Sequence, residues 1–303
     1  MRPESLKEYI GQERIKQILG AEIKAARASG KPLRHMLLTG MAGTGKTSLA
    51  GVVANESGYT FRTYTASKDW TPQHITQELL SLDVTGYTKD GRKTGQGKTF
   101  LLFFDECHRM PTASWEAWYS ALEDYQVNHL GGASWLPYFT WVGASTSNNL
   151  PKPLRDRIGM QFRMDPYTQA ELVTIVLQNF PTLDKKVARD IAARARNTPR
   201  IALSYTESFL NYGGMGVFDL MGIDGEGLTE LDRGYIEALR KAHRPLSLNT
   251  LSSMLREDQA TLAETVEPFL LERGDILISS KGRELAVQES LVRGIRQPEV
   301  FVK

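Results

Sequence analysis

The feature that constrains this chain most is the glycine-rich segment Gly40–Thr47, which reads GMAGTGKT. It fits the pattern G-x-x-x-x-G-K-[ST] and lies between a short apolar run, His35–Leu38, and a helix predicted over Thr47–Glu56. Glycine has no Cβ, so backbone N–H groups can close around phosphate oxygens, and the following helix turns its positive end toward the anion. The segment therefore predicts a nucleotide phosphate-binding loop within a strand–loop–helix unit.

The polar side chains of this loop have separate expected roles in binding ATP. Lys46 is expected to reach the β- and γ-phosphates, and the Thr47 hydroxyl to ligate Mg²⁺. The other nucleotide contacts expected in the loop are Gly43, Thr44, Gly45 and Ser48. The alternative is a glycine-rich turn with a solvated lysine, which the strand and helix on either side disfavour.

Two carboxylates follow an almost wholly apolar run. Asp105 and Glu106 come directly after Phe100–Phe104, and ligands of open α/β sheets lie at the carboxyl ends of strands. We assign Asp105 to Mg²⁺ and Glu106 to the water that attacks the γ-phosphate. The alternative is an acidic turn after a buried strand, which would be favoured if the phosphate loop were not present upstream. Together the two motifs predict an ATP hydrolase.

Alternating patterns predict an α/β fold in the first half of the chain. Helices are predicted at 13–28, 47–56, 72–82 and 113–125, and strands at 35–38, 61–64, 99–104 and 139–144. Strands that are apolar on both faces favour a parallel sheet covered by helices on each side. We therefore expect a large ATPase domain over residues 1–166.

The second half follows a different pattern. Helices predicted at 169–179, 185–196 and 200–210 indicate a small all-α lid domain over 167–212. Residues 213–228 are glycine-rich and are expected to form a linker. Residues 229–303 contain three predicted helices and a hairpin around Lys281-Gly282, which is typical of a winged helix-turn-helix domain.

Composition and charge exclude several classes of protein. Hydrophobic residues make up 41% and charged residues 24% of the 303 residues, and no apolar run reaches the roughly 20 residues that span a membrane. Cys107 is the single cysteine and no Cys/His cluster has zinc spacing, so we expect a cytoplasmic protein with no membrane contact and no structural metal. The net charge of +2 does not by itself indicate nucleic-acid binding.

Further motifs occur in the order found in AAA+ ATPases. They are Arg2-Pro3, Glu8–Gln12, the phosphate loop, Asp105–Arg109, Val142–Thr146, Pro153–Gly159 and Thr198–Ala202, followed in the C-terminal part by Glu230–Arg233, Val266–Leu270 and Lys281–Arg283. This ordered set runs nearly end to end and resembles the RuvB family of Holliday-junction branch-migration motors. The resemblance implies an AAA+ domain, a helical lid and a C-terminal winged helix.

The resemblance also implies roles for individual residues. Thr146 matches the first sensor, with Ser145 and Asn148 as weaker candidates, and Arg200 matches the second sensor on the lid. Arg157 matches an arginine finger that reaches the ATP of a neighbouring subunit, with Arg155 as the runner-up. Tyr9, Ile10, Tyr167 and Pro199 match positions that line the adenine pocket. The alternatives are surface ion pairs for the arginines and core packing for the tyrosines.

A finger acting in trans requires a homo-oligomer, and the resemblance implies a hexameric ring. Such a ring would act as a DNA helicase in recombination and repair, moving duplex or four-way-junction DNA with little sequence specificity. One rival is a clamp-loader or helicase-loader switch, and another is an ATP-binding DNA protein without turnover. A third rival is a protein-remodelling ATPase, for which Trp70 is a candidate pore-loop aromatic residue.

DNA contact is expected through the wing of the C-terminal domain. Lys281 and Arg283 lie at its tip, and Arg293 and Arg296 add charge further along the chain. The last helix of a winged helix commonly enters the major groove, but here it carries Glu264, Glu267 and Glu272, which would repel phosphates. We therefore expect backbone contacts from Lys281 and Arg283. The alternative is a solvated or protein-binding hairpin.

Two segments depart from the family pattern. Residues 83–98 form an additional basic, glycine-rich stretch, interpreted either as a DNA contact or as a mobile surface loop. The segment Gln126–Pro137 is shorter than the hairpin on which a RuvA-like junction-binding partner docks in this family, which weakens the expectation of such docking. These departures suggest a divergent relative, for example from a phage or a mobile element.

Overall fold

The computed structural model describes residues 2–88, 91–95, 97–129, 131–147 and 150–286. The chain divides into two compact units, Met1–Glu207 and Ser208–Lys303. Asn148, Lys89, Arg293 and Arg296, which the sequence analysis named as candidate site or DNA-contact residues, lie outside the described residues. No helix in the described part of the chain is long and apolar enough to span a membrane.

A parallel sheet forms the centre of the first unit, as predicted, and it has five strands where four were expected. The strands of this unit are β1 (Met36–Thr39), β2 (Thr60–Thr65), β3 (Phe100–Asp105), β4 (Gln126–His129), β5 (Gly132–Trp135), β6 (Phe139–Ser145) and β7 (Met160–Arg163). The order in the sheet is β2-β3-β6-β1-β7, whereas β4 and β5 form a separate antiparallel hairpin. In this order the carboxyl ends of β1, β6 and β3 are neighbours.

Helices cover both faces of the sheet and form the lid. They are α1 (Glu13–Ser29), α2 (Lys46–Ser57), α3 (Pro72–Leu80), α4 (Ser114–Asp124), α5 (Lys152–Arg157), α6 (Gln169–Asn179), α7 (Lys185–Arg194) and α8 (Pro199–Tyr212). β3 shows why an inner strand of the sheet is apolar throughout. Leu101 and Phe103 pack into the core on the α1–α2 side, whereas Leu102 and Phe104 pack on the α3–α4 side.

β7 was not predicted from the sequence. Met160 and Phe162 are buried whereas Gln161 and Arg163 are exposed, so this edge strand alternates over only four residues and lacks the continuous apolar run of the central strands. Its pairing places β1 between two neighbours, β6 and β7, and the chain continues from β7 into the lid.

His35 ties the start of β1 to its neighbours within the core. Its Nε2 lies 2.9 Å from the Leu122 carbonyl oxygen, and the Trp141 N–H donates to its Nδ1 at 3.0 Å. Because Nδ1 accepts a hydrogen bond, the imidazole is neutral and carries its proton on Nε2. Burial lowers the pKa of His35 from its ordinary value of 6.5 to about 4.

We expect the free energy of unfolding to decrease as the pH drops from 7 to 5. Below pH 6.5 the unfolded chain binds a proton at His35 that the folded chain excludes down to about pH 4. Below pH 6.5 each pH unit lowers the free energy of unfolding by about 1.4 kcal/mol. The drop from pH 7 to pH 5 therefore lowers it by about 2 kcal/mol. Urea unfolding at a series of pH values measures this dependence. His35→Gln should flatten it, whereas His243→Gln at an exposed position should not; equal slopes in the two variants would rule out His35 as the cause.

Trp70 is a core residue and not a pore-loop residue. Its side chain is 7% exposed, its indole N–H donates to the Thr65 carbonyl oxygen, and its ring packs edge-on against Phe104 and stacks on His74. The Ser114 hydroxyl also donates to the Trp70 carbonyl oxygen. The sequence feature that kept the protein-remodelling rival open is therefore accounted for by packing.

The described part of the additional segment 83–98 packs against Trp135 of the β4–β5 hairpin and against Tyr138. The Tyr87 hydroxyl donates to the Lys98 carbonyl oxygen at 2.8 Å and accepts from the Tyr138 N–H at 2.9 Å. Gly91 lies so close to Trp135 that a Cβ would be 2.5 Å from the indole ring. These contacts give the described part of the segment a defined path across the base of the hairpin.

The second unit contains α9 (Gly216–Leu220), α10 (Glu230–Ala242), α11 (Leu248–Leu255), α12 (Gln259–Thr261), α13 (Glu267–Arg273), β8 (Ile276–Ser279) and β9 (Gly282–Leu285). The segment predicted as a linker contains α9, whose Val217 and Phe218 are buried. A π-helical turn, Leu262–Val266, joins α12 to α13 before Pro268, which has no N–H to continue the regular ladder. α10, α11 and the helix that runs from α12 through the π-helical turn to α13 are the three predicted helices. With the β8–β9 hairpin they complete the predicted winged helix.

Candidate nucleotide-binding site

The sheet order brings three loops together at one edge. The phosphate loop follows β1 and Thr146 follows β6. Asp105 is the last residue of β3, and Glu106 comes directly after it. Because parallel strands run in the same direction, their carboxyl ends share this edge, where ligands bind in open α/β sheets. Residues separated by about a hundred positions in the sequence therefore form one site.

Several residues of the phosphate loop have backbone conformations that favour glycine. Gly43 and Gly45 have φ values of 82° and 91°, in the region that favours glycine. A Cβ on Gly45 would lie 2.5 Å from the Tyr9 hydroxyl, and a Cβ on Gly43 would lie 3.2 Å from Arg200 Cβ. The loop is thus closely packed by an N-terminal residue and by the lid. Thr44 is buried, and its hydroxyl donates to the Met41 carbonyl oxygen.

Lys46 lies within the loop that it is expected to serve. Its ammonium donates to the Gly40 and Met41 carbonyl oxygens at 2.9 and 2.8 Å, and the residue is 6% exposed. Burial lowers the pKa of Lys46, whereas the nearby carboxylates of Glu106 and Asp105 act in the opposite direction. A cation held by neutral carbonyl groups in a partly dry loop favours the arrival of an anion.

Glu106 has a left-handed backbone conformation and an anchored side chain. Its φ is 50°, an uncommon value for a residue other than glycine. The Thr146 hydroxyl donates to Glu106 Oε2 at 3.2 Å, and Thr146 is the residue that the resemblance matched to the first sensor. Asp105 Oδ1 accepts from the Glu106 N–H at 3.1 Å. The two carboxylates and the Thr146 hydroxyl therefore form one cluster.

A cavity of 630 Å³ opens beside this cluster. Of the residues assigned to the nucleotide and the metal, the cavity is lined by Tyr9, Ile10, Gly43, Gly45, Lys46, Thr47, Ser48, Asp105, Glu106, Tyr167, Pro199 and Arg200. Its volume lies in the range of small-molecule sites. The structure therefore brings the sequence-predicted residues into one cavity, with the exceptions of Thr44, Thr146 and Arg157.

Two tyrosines connect the N-terminal segment, the phosphate loop and the start of the lid. The Tyr9 hydroxyl donates to the Gly45 carbonyl oxygen at 3.2 Å, and the Tyr167 hydroxyl donates to that of Tyr9 at 3.0 Å. Burial raises the pKa of both phenols, that of Tyr167 to about 12. Tyr9 and Tyr167 were expected either to line an adenine pocket or to pack in the core, and both are buried and border the cavity.

The N-terminus, the phosphate loop and the lid supply further lining residues that were not singled out from the sequence. They are Arg2, Pro3, Glu8, Ala42, Ile175, Gln178, Asn179 and Leu203. Arg2-Pro3 and Glu8 stood within motifs of the family resemblance. Ile175 and Gln178 are three positions apart on α6, as are Arg200 and Leu203 on α8. This helical spacing is the signal that could have identified the lid face.

Arg157 does not border the cavity of its own chain. Its guanidinium lies over the Tyr119 ring at 4.5 Å from the centroid, and its Nε lies 3.0 Å from Glu123 Oε1. It borders a separate cavity of 570 Å³. The Arg155 side chain is exposed and forms no hydrogen bond or ion pair with another described residue. Neither arginine can serve the nucleotide site of the same chain from this position.

The two wing residues have different environments. Lys281 is exposed, and its ammonium has no partner among the described residues. Arg283 forms a two-point ion pair with Glu267, with Nε–Oε1 at 2.8 Å and Nη2–Oε2 at 3.3 Å. Glu267 is 4% exposed and also accepts from the Tyr235 hydroxyl. Glu267, expected to repel DNA phosphates, is thus a buried partner of Arg283.

The cavity fits a magnesium–nucleotide complex. Asp105 and the Thr47 hydroxyl offer oxygen ligands at its wall, and the loop glycines leave the space a Cβ would fill. No group of three or more His, Cys, Asp or Glu side chains among the described residues could hold a metal ion. Mg²⁺ in nucleotide sites uses one or two protein oxygens together with substrate phosphates, which is what these residues provide.

The family profiles and the relatives that match this chain all carry the name of one family. Residues 1–164 match the family profile described as the Holliday junction DNA helicase RuvB P-loop domain, and residues 225–289 match the RuvB C-terminal winged helix domain. The Holliday junction branch migration complex subunit RuvB of Campylobacter fetus subsp. fetus is 34% identical over 98% of this chain and 90% of its own length. The corresponding subunit of Campylobacter hominis is 33% identical over 98% and 91%.

A solved structure shows the same likeness. The Thermotoga maritima RuvB Holliday junction branch migration motor superimposes with a TM-score of 0.79 at 31% sequence identity, covering 98% of this chain and 99% of that one. The structural similarity therefore covers the lid as well as the P-loop and winged-helix domains that the family profiles match.

Proposed function

This chain belongs to the RuvB family, and from that premise we propose that it is an ATP-driven DNA motor that moves the branch point of four-way DNA junctions. The observation that carries the proposal is the convergence of the phosphate loop, Asp105, Glu106 and Arg200 on one cavity. Around it lie the other parts of a phosphoryl-transfer site, with the sensor hydroxyl of Thr146 bonded to Glu106.

Each residue of the cavity has one proposed task in ATP hydrolysis. Lys46 moves from the Gly40 and Met41 carbonyl oxygens to the β- and γ-phosphates, and the loop N–H groups bind the same oxygens. Asp105 and Thr47 would hold Mg²⁺, which neutralises charge that develops on the phosphates. Glu106 orients the attacking water, and Arg200 contacts phosphate from the lid. Catalysis by these groups is mainly positioning and electrostatic stabilisation.

The site is proposed to be completed by a second copy of the chain. Arg157 lies outside the cavity of its own chain, on Tyr119 and Glu123. In a closed ring the same surface meets the next subunit at every boundary, so an arginine on that surface can reach each neighbour's nucleotide. A hexamer around duplex DNA is the assembly we propose, with Arg155 as the alternative finger.

DNA contact is proposed at the wing, with unequal roles for its two cations. Lys281→Ala is expected to weaken binding of every DNA sequence alike and to reduce the slope of log affinity against log salt by about 1.

Arg283→Ala leaves Glu267 buried without its cation, so it should destabilise the winged helix by about 3 kcal/mol. DNA titrations at several salt concentrations and urea unfolding separate the two effects. A stable Arg283→Ala protein would refute the structural role, and an unchanged salt slope in Lys281→Ala would refute the contact.

The proposed function is tested with a synthetic four-way junction. Purified protein, ATP and magnesium should convert the junction into duplex products, and linear duplex should stimulate ATP hydrolysis. A parallel reaction includes a RuvA-like junction-binding protein, the partner proposed for the β4–β5 hairpin despite its short length. Nucleotide-dependent DNA binding without processive conversion would favour a loader-type switch instead.

A further inference from the structure

A histidine that has no role in the proposed mechanism contacts Glu106. His108 lies in the 3₁₀ turn Cys107–Arg109 directly after Glu106. Its Nδ1 lies 2.9 Å from Ser145 Oγ and 3.4 Å from Glu106 Oε2. The side chains of His108 and Glu106 are 21% and 23% exposed, so water competes little for these contacts.

The single proton of the Ser145 hydroxyl determines the direction of the bond to His108. This hydroxyl donates to the Ser147 carbonyl oxygen at 2.5 Å and accepts from the Ser147 N–H at 3.0 Å. A hydroxyl has one proton to give, so Ser145 Oγ can only accept from His108. Nδ1 of His108 therefore carries a proton, which it shares between Ser145 and the Glu106 carboxylate.

Glu106 is consequently anchored through one of its two oxygens. Oε2 is within reach of His108 Nδ1 and accepts from the Thr146 hydroxyl, whereas no described residue is bonded to Oε1. One anchored oxygen fixes the orientation of the carboxylate, and the other stays available to a water molecule. Hydrogen bonds to a charged acceptor are the stronger kind, so losing a donor here has a measurable effect.

We propose that His108 is a positioning residue for ATP hydrolysis, whose Nδ1–H, supported by Ser145, holds the Glu106 carboxylate so that its free oxygen accepts a hydrogen bond from the attacking water. This role rests on the function proposed above. It differs from that of Thr146, because His108 acts from the same loop as Glu106 and requires one particular tautomer.

Three variants of His108 test this role. Asparagine places an amide N–H where Nδ1–H lies, whereas glutamine reaches the position of Nε2, and alanine removes both. We expect His108→Ala and His108→Gln to lower kcat about tenfold or more, with KM for ATP and the melting temperature close to those of the wild type. His108→Asn should recover kcat to within about threefold of the wild type. Equal losses in the asparagine and glutamine variants, or none in alanine, would overturn the proposal.

The tautomer provides a test that does not depend on turnover. Nitrogen-15 spectra of histidine-labelled, nucleotide-free full-length protein should show His108 protonated at Nδ1, with the signal assigned by its absence in His108→Asn. A proton on Nε2 alone would overturn the proposal whatever the kinetics. A wild-type protein with no ATPase activity would instead refute the proposed function itself, and with it any role for His108 in turnover.

Discussion

Replacement of Lys46 by alanine is expected to lower kcat/KM for ATP by a factor on the order of 10³ or more. In the structure the ammonium already lies inside the phosphate loop, on the Gly40 and Met41 carbonyl oxygens. The wild-type lysine therefore needs only a short movement to exchange these acceptors for phosphate oxygens. In Lys46→Ala the backbone N–H groups and Arg200 remain, but the ammonium that is expected to contact the β- and γ-phosphates is lost. Steady-state ATPase assays and binding of a fluorescent ATP analogue measure the loss.

Lys24→Ala is the matched control, because it removes one exposed cation from α1 and leaves the loop intact. It should retain wild-type binding and turnover. Circular dichroism of the Lys46 variant checks that the fold persists. Unchanged ATP hydrolysis in Lys46→Ala would remove the phosphate-loop assignment.

Arg157→Ala is expected to keep ATP binding and to lose hydrolysis by about 10³ to 10⁵, the range measured for arginine fingers. Binding persists because Arg157 does not border the cavity of its own chain. Its present partners, Tyr119 and Glu123, are on the same unit and leave the guanidinium partly exposed. Arg155→Ala tests the runner-up and should keep most of the activity.

Mixing two inactive variants tests action in trans. Glu106→Gln subunits have a defective water site and an intact Arg157, whereas Arg157→Ala subunits have the reverse. In a random ring about one boundary in four combines an intact cavity with an intact finger, so some hydrolysis should return. Light scattering confirms that both variants assemble. If they assemble and no activity returns, the shared site must be abandoned.

Much of the site could be predicted because it depends on local rules. The phosphate loop is a contiguous motif with a fixed spacing, and Asp105 and Glu106 end an apolar strand. At two places tertiary packing added what local sequence patterns did not indicate. Trp70 looked like an exposed loop aromatic residue but is enclosed by Thr65, His74 and Phe104. The glycine-rich stretch after Tyr212 looked like a linker but contains α9.

The sequence by itself determined which residues are candidates to bind a triphosphate and a metal ion, and that a parallel sheet carries them. Those properties follow from residue type and short-range spacing. Only the tertiary structure decided which partner each side chain takes. Arg283 forms an ion pair with Glu267, and Arg157 does not border the nucleotide cavity of its own chain. His108 contacts Ser145, which is 37 positions away in the sequence. Such pairings depend on strand order and on burial, because a charge or a proton donor in a dry interior takes the partner that the fold brings nearest.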